Sequence, residues 1–251
     1  MTTLYDGERI DFVNDSLSLI QKPEGLTFGT DALLLAGYIR TKAATGVELG
    51  AGSGIISMLL LTRGKLSSAT ALEVQEEYAS LTERNAELNS LSDKLTAIHT
   101  DIRDYRPECE YDIAFTNPPY MTVGSGRANC LSAKNLARHE VMGGIADFCA
   151  SAARLIKFGG TFAAVYRPDR AMDLLASMRE CGLEPKRMTF VHADTCAESS
   201  MMLVEAKRGG RCGLYLTPPL IVYRDSTHKE YTDDMNYIME NGSFPERFIR
   251  K

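Results

Sequence analysis

Short apolar runs alternate with helical stretches from Gly46 onward, and this alternation constrains the fold more than any other feature of the sequence. Strands that alternate with helices pair in parallel, because each helix carries the chain back across a face of the sheet. The pattern predicts seven strands, at residues 47–49, 69–72, 95–98, 111–115, 161–166, 187–192 and 201–206. It predicts helices at residues 55–63, 75–89, 146–156 and 170–181, the third of them closed by Gly159 and Gly160.

The last two predicted strands are separated only by the loop 193–199, so we expect them to pair antiparallel. An α/β fold with a seven-stranded, mostly parallel sheet, one antiparallel strand and helices on both faces resembles the Rossmann-like class I methyltransferases. We expect one domain, with an N-terminal cap (1–45), a core (46–212) and a C-terminal extension (213–251). The extension should pack across the sheet through the apolar segments 214–216 and 220–223.

Composition excludes several classes of protein. No apolar run approaches the roughly 18–20 residues that span a bilayer, and no basic segment followed by an apolar one opens the chain. The 6 cysteines and 4 histidines are scattered without ligand spacing, so we expect reduced thiols and no metal. These features together predict a cytoplasmic protein without a membrane partner.

Charge is distributed unevenly along a chain whose net charge is −5. Residues 121–211 carry 13 basic and 9 acidic side chains, whereas residues 1–120 carry 10 and 18. An acidic protein binds nucleic acid only through a local basic patch, so this middle third is where we expect one.

A glycine-rich loop follows the first strand of the predicted sheet, in the segment from Glu48 to Gly54. Glycines let the backbone turn sharply and approach a ligand where a Cβ would clash. The dinucleotide fingerprint requires a glycine where Ile55 stands, which argues against a nicotinamide-dependent oxidoreductase. The G-x-G-x-G spacing of Gly50, Gly52 and Gly54, with Glu48 ahead of it, resembles the cofactor loop of S-adenosylmethionine (SAM) methyltransferases. A tight turn without a ligand is the alternative for this motif alone.

Two acidic residues close the next two predicted strands. Glu73 can accept hydrogen bonds from both hydroxyls of a ribose, and Asp101 is placed for an adenine amine. Either acid alone could equally lie on the surface. Because carboxyl ends of adjacent parallel strands are where ligands bind in open sheets, the loop and the two acids together predict a SAM site.

The most specific motif is Asn117-Pro118-Pro119-Tyr120, directly after the fourth predicted strand. Two prolines fix the backbone and remove two N–H donors, so the loop is rigid and rich in acceptors. The Asn117 side-chain oxygen and the Pro118 carbonyl can hold both hydrogens of one planar amine and direct its lone pair toward a methyl donor. The Tyr120 ring offers a face on which a base can stack.

These motifs resemble the amino-directed SAM methyltransferases that carry N-P-P-Y, and within them the tRNA1(Val) adenine-N6 methyltransferase family. The resemblance runs from about residue 9 to residue 232 and includes segments 9–11, 21–32, 137–140, 166–168, 204–207 and 218–223. It implies an adenine directly 3′ of the anticodon of a valine tRNA as the substrate. It also implies that Thr30 and Asp31 lie beside the cofactor pocket.

Holding tRNA requires contacts with phosphates, and two groups of basic residues are candidates. Arg127, Lys134 and Arg138 follow the catalytic motif, and Lys207, Arg208 and Arg211 leave the last predicted strand, where we expect them on the same rim. Ordinary solvated charges are the alternative.

Other targets of N-P-P-Y chemistry remain open. Methyltransferases of release-factor glutamines usually carry a helical domain ahead of the cofactor loop, and only about 45 residues precede it here. DNA adenine methyltransferases add a target-recognition domain, and the larger rRNA guanine methyltransferases have a duplicated domain of which no repeat is visible. A non-catalytic RNA-binding protein is a different class, disfavoured by the intact Asn117 and glycine loop.

Overall fold

The computed structural model describes residues 4–22, 29–40, 42–118 and 143–249. The six helices in these ranges are α1 (Thr30–Tyr38), α2 (Ile55–Thr62), α3 (Glu76–Leu88), α4 (Ile145–Leu155), α5 (Ala171–Glu180) and α6 (Asp233–Asn241). The strands there are β1 (Arg9–Asn14), β2 (Leu17–Gln21), β3 (Ala43–Leu49), β4 (Leu66–Glu73), β5 (Leu95–His99), β6 (Tyr111–Thr116), β7 (Ile156–Tyr166), β8 (Leu183–His192), β9 (Ser199–Arg208), β10 (Tyr215–Leu216) and β11 (Leu220–Ile221). None of the helices in these ranges is both long and apolar enough to cross a membrane.

The central sheet has the strand order β10-β8-β9-β7-β6-β3-β4-β5, and β11 also pairs with β8. Strands β5, β4, β3, β6 and β7 pair in parallel, whereas β9 lies antiparallel between β7 and β8. The seven predicted strands are present as β3 to β9, and the predicted fold, mostly parallel with one antiparallel strand, is confirmed; β10 and β11 bring the sheet to nine strands.

Helices cover both faces of this sheet, and its strands alternate between two buried clusters. Phe162 and Ala164 of β7 belong to the cluster beneath α4 and α5, whereas Ala163 and Val165 belong to the cluster beneath α1 and α2. A strand buried on both faces reads as a continuous apolar run, which is why residues 162–165 are all apolar.

Two boundaries differ from the sequence prediction. Helix α4 ends at Leu155 and β7 begins at Ile156, so Gly159 and Gly160 do not close the helix. They lie inside the strand, where the pairing of β6 with β7 shifts register between Tyr111 and Ile113. A Cβ on Gly160 would lie 2.7 Å from the carbonyl oxygen of Lys157, so the irregular backbone requires glycine there.

The two ends of the chain also depart from the expected arrangement. Strand β3 begins at Ala43, within the stretch assigned to the cap. Strands β10 and β11 pair with β8 and so extend the edge of the sheet, instead of packing across its surface as the sequence suggested. The apolar side chain of Leu220 is nevertheless fully buried in the core.

A hairpin of β1 and β2 packs on helix α3 through buried amides. Asn85 accepts from the Ile20 amide at 2.7 Å and donates to the Ser53 carbonyl at 3.1 Å. Asn89 accepts from the Ser18 amide at 2.9 Å. The hairpin is thus joined through α3 to the glycine loop that follows β3.

Candidate functional site

Three strand ends meet at one edge of the sheet. Strand β3 pairs in parallel with β4 on one side and β6 on the other, so Gly50, Glu73 and Asn117 lie at the carboxyl ends of adjacent strands. The buried hydroxyl of Thr116 donates to the Leu49 carbonyl at 2.7 Å and joins the end of β6 to the end of β3. Open sheets of this kind bind ligands at this edge.

The glycine loop adopts a backbone that other residues rarely tolerate. Gly50, Gly52 and Gly54 have φ values of 69°, 57° and 77°, all in the left-handed region. A Cβ on Gly54 would also lie 2.6 Å from the methyl carbon of Thr82. The Thr82 hydroxyl donates to the Gly52 carbonyl at 2.9 Å, which fixes the loop against α3. Thr82 was not predicted from the sequence, because an isolated threonine in an amphipathic helix carries no signal of such a contact.

Glu73 closes the loop from the end of β4. The residue is 2% exposed, and its carboxylate accepts the Gly52 N–H with one oxygen and the Gln75 N–H with the other, both at 2.9 Å. A carboxylate has about four lone-pair sites, so each oxygen keeps capacity for a further donor. Glu73 therefore holds the loop and can also accept from a ligand.

Glu48 faces the interior of the protein. One carboxylate oxygen accepts from the Ser57 amide at 3.0 Å and from the Ser57 hydroxyl at 2.5 Å, which fixes the start of α2 after the loop. Burial raises the pKa of Glu48 to about 8, outweighing the two hydrogen bonds that favour the charged form. In this structure the Glu48 carboxylate is directed at Ser57. The predicted contact of Glu48 with a cofactor stays a prediction.

Asp101, just beyond β5, is engaged by a neighbour. The Arg103 guanidinium contacts both of its carboxylate oxygens, and the Arg103 amide donates to one of them at 2.8 Å. These bonds hold the pKa of Asp101 below its usual value. Its predicted contact with an adenine amine stays a prediction and requires a lone pair beyond those that Arg103 uses.

Asn117 and Asp31 meet at this edge, although 86 positions separate them. The Asn117 side-chain nitrogen donates to a carboxylate oxygen of Asp31 at 2.8 Å. Thr30, the first residue of α1, is exposed next to Asp31. Sequence reasoning placed Asp31 beside the cofactor pocket but missed this bond, because nothing in either local sequence signals its partner.

The other end of the Asn117 amide has a different environment. Among the described side chains, its oxygen is the one buried nitrogen or oxygen without a hydrogen-bond partner. Leaving such an acceptor unpaired costs about 1–3 kcal/mol, and such atoms mark places where a ligand completes the structure. Pro118 is buried beside it. Pro119 and Tyr120 lie outside the described residues.

Three of the basic residues predicted to contact RNA lie away from the edge of the sheet that carries Asn117. Strand β9 runs antiparallel to β7, so Lys207 pairs with Thr161 near the amino-terminal half of β7. The Lys207 ammonium donates to the Thr161 hydroxyl at 2.8 Å, and Arg208 pairs with Glu110 ahead of β6. Lys207, Arg208 and the following Arg211 therefore leave the sheet at the end opposite Asn117, and their expected position on the same rim is wrong. Arg127, Lys134 and Arg138 lie outside the described residues.

The order and direction of these strands define the class of protein, the Rossmann-like class I methyltransferases. Among solved structures, a predicted O-methyltransferase from Agrobacterium tumefaciens is similar with a TM-score of 0.67 at 22% identity, over 86% of this chain and 98% of that chain. Geranyl diphosphate C-methyltransferase from Streptomyces coelicolor, solved with S-adenosyl-L-homocysteine, has a TM-score of 0.53 at 13% identity, over 71% and 75% of the two chains. At these identities the likeness shows the fold alone.

Within that class, the chain belongs to the methyltransferase small domain family, whose model matches residues 24–173. Curated relatives named tRNA1(Val) (adenine(37)-N6)-methyltransferase are also similar. The protein of that name from Aeromonas hydrophila is 29% identical over 185 residues, which cover 72% of this chain and 76% of the relative. The one from Pedobacter heparinus is 26% identical over 170 residues, which cover 67% and 72%.

Glu48 predicts a specific dependence of stability on pH. Burial raises its pKa to about 8 in the folded protein from the ordinary glutamate value of 4.5, so between these values the folded state holds a proton that the unfolded state lacks. The free energy of unfolding should therefore fall as pH rises through this range, by about 1.4 kcal/mol for each pKa unit of difference. Glu48→Gln, which cannot titrate, should remove this contribution.

Urea unfolding at pH 5 and pH 8.5 measures the effect, with Glu83→Gln on the exposed face of α3 as the control. Wild type and the Glu83 variant should lose stability in parallel while Glu48→Gln loses less. Equal losses in all three proteins would mean that Glu48 is charged when buried.

Proposed function

We propose that this protein transfers the methyl group of SAM to the N6 amine of an adenine in tRNA, adenine 37 of a valine tRNA. The names of the curated relatives supply the substrate. The observation that carries the chemistry is the buried, unpartnered oxygen of Asn117, an acceptor at the ligand edge of a methyltransferase fold. A tRNA substrate puts the reaction in the cytoplasm.

The residues at the edge fit SAM as the cofactor. The left-handed glycines bring backbone close to the ligand edge, and the Glu73 oxygens retain lone pairs for ribose hydroxyls. Thr30, Glu48 and Asp101 are further candidates for contacts with the cofactor. Bound SAM supplies an electrophilic methyl group on a sulfonium.

Asn117 addresses the central difficulty of the reaction. The lone pair of an adenine amine is conjugated into the ring, so the amine is a poor nucleophile. An acceptor that holds one hydrogen, with the Pro118 carbonyl holding the other, favours the pyramidal amine and directs its lone pair. A strong base is not needed, because the proton becomes acidic once the methyl group has transferred.

Two parts of the proposal come from residues outside the described ranges. Tyr120 is expected to stack on the target base once that base has left the stack of neighbouring bases in the RNA. Pro119 is expected to keep the loop rigid. Arg127, Lys134 and Arg138 follow directly in the chain and are candidates for phosphate contacts at the mouth of the base pocket.

Cofactor identity is tested at Gly52. Gly52→Leu should abolish SAM binding in calorimetry, because a side chain there crowds the ligand edge. Gly64→Leu is the matched control, since Gly64 has a similar φ of 62° but no atom within 4 Å of a built Cβ. Both variants should lose about 1–2 kcal/mol of stability from the left-handed backbone. Retained SAM affinity in Gly52→Leu, or binding of NAD by wild type, would contradict the assignment.

The role of Asn117 is tested by Asn117→Ala. The variant should bind SAM as wild type does and lose about 10²–10³ in kcat, as removal of one preorganised hydrogen-bonding group typically causes. Asn241→Ala, at the exposed end of α6, should keep full activity. A kcat close to that of wild type in Asn117→Ala would show that this amide does not hold the amine.

The substrate is tested with radiolabelled SAM and total tRNA from cells that lack the protein. Nucleoside analysis should find the label in N6-methyladenosine, and fractionation should find it in valine tRNA. Parallel reactions with rRNA, DNA and release factors distinguish the other amino targets. Label in one of those and not in tRNA would overturn the proposed substrate.

A further inference from the structure

We propose that Asp31 is a positioning residue, whose carboxylate locks the Asn117 amide with its oxygen facing the amine of the substrate. The inference rests on the proposed function and adds a residue to its mechanism. Two linked observations support it: the bond between the two side chains and the unpartnered oxygen at the far end of the same amide.

The orientation of the Asn117 amide follows from the chemistry of its partner. A carboxylate only accepts hydrogen bonds, so only the NH₂ end of an amide can face it. The 2.8 Å contact with Asp31 therefore excludes the flipped amide, which would bring two oxygens together. In the flipped form the NH₂ group of Asn117 would face the amine of the substrate. Two donors would then face each other, and the amine would be repelled.

Asp31 is itself held in place on a buried helix. One carboxylate oxygen accepts the Ala32 N–H at 2.9 Å, and the other accepts from Asn117. Helix α1 is anchored by Leu34 and Leu35, both fully buried. The carboxylate thus has a different donor on each oxygen and a rigid support, as positioning of a reacting group requires.

Gly29 leaves the space that this carboxylate occupies. A Cβ on Gly29 would lie 2.8 Å from the Asp31 oxygen that accepts the Ala32 N–H. The backbone of Gly29 is extended, with φ −118°, so alanine there is not strained by its backbone. Gly29→Ala therefore displaces the carboxylate without changing Asp31, which gives a second and independent variant.

The kinetic test compares Asp31→Ala, Asp31→Asn and Gly29→Ala with Asp93→Asn, which removes a charge from an exposed loop. An asparagine has one acceptor for two donors, so it satisfies Ala32 or Asn117 but not both. The first three variants should lose about 10–100-fold in kcat at saturating SAM and tRNA, the loss that removing the hydrogen-bonding partner of a metal ligand typically causes. SAM affinity should not change, and Asp93→Asn should behave as wild type.

A second readout needs no activity. In ¹⁵N spectra of the free protein, the side-chain NH₂ signals of Asn117 are identified by their loss in Asn117→Ala. They should be protected from exchange with water in wild type and lose that protection in Asp31→Ala and Gly29→Ala. This measurement stands even if tRNA proves not to be the substrate.

The outcomes separate the two proposals. Wild-type kcat in Asp31→Ala and Gly29→Ala, or unprotected Asn117 signals in wild type, would overturn the positioning role. A loss of SAM affinity with an unchanged kcat would overturn it too and make Asp31 a cofactor ligand. Absence of N6-methyladenosine with wild type would instead overturn the proposed function.

Discussion

Parallel pairing of β3 with β4 on one side and β6 on the other is the constraint on which the site depends. It puts the glycine loop, Glu73 and Asn117 at one edge of the sheet, because each of them stands at the carboxyl end of one of these strands. The helices that enforce this pairing bury both faces of the strands, so the edge is held by the core. Groups at that edge can therefore be positioned precisely enough for chemistry.

The site holds several features that favour function over stability. Gly50, Gly52 and Gly54 have left-handed backbones. Glu48 is buried, and burial raises the pKa of its carboxyl group. The unpaired oxygen of Asn117 adds a further cost. Unfavourable features of this kind concentrate at functional sites, where the surrounding structure must maintain them. Here the surroundings are the amides and hydroxyls of α3, which fix the loop and the N-terminal hairpin together.

Much of this was predictable from local sequence, because strands, glycine spacing and the Asn-Pro-Pro segment are local signals. The predictions that proved wrong concern features whose position depends on how distant strands pair. Gly159 and Gly160 fit a helix stop as well as an irregular strand, and only the register of β6 and β7 distinguishes the two. The expected position of Lys207 on the rim beside Asn117 is wrong, because the antiparallel direction of β9 carries its last residues to the opposite end of the sheet. The Asp31–Asn117 bond joins distant parts of the chain and has no local signature.

A double-mutant cycle of Asp31 and Asn117 tests the central claim most directly, that one amide held by one carboxylate presents the acceptor to the amine. The measured quantity is kcat for methylation of the valine tRNA by wild type, Asp31→Ala, Asn117→Ala and the double variant. If Asp31 acts only through Asn117, the double variant should be no slower than Asn117→Ala alone, a strongly non-additive result. Losses that multiply would contradict the account, because they would show that the two residues act independently.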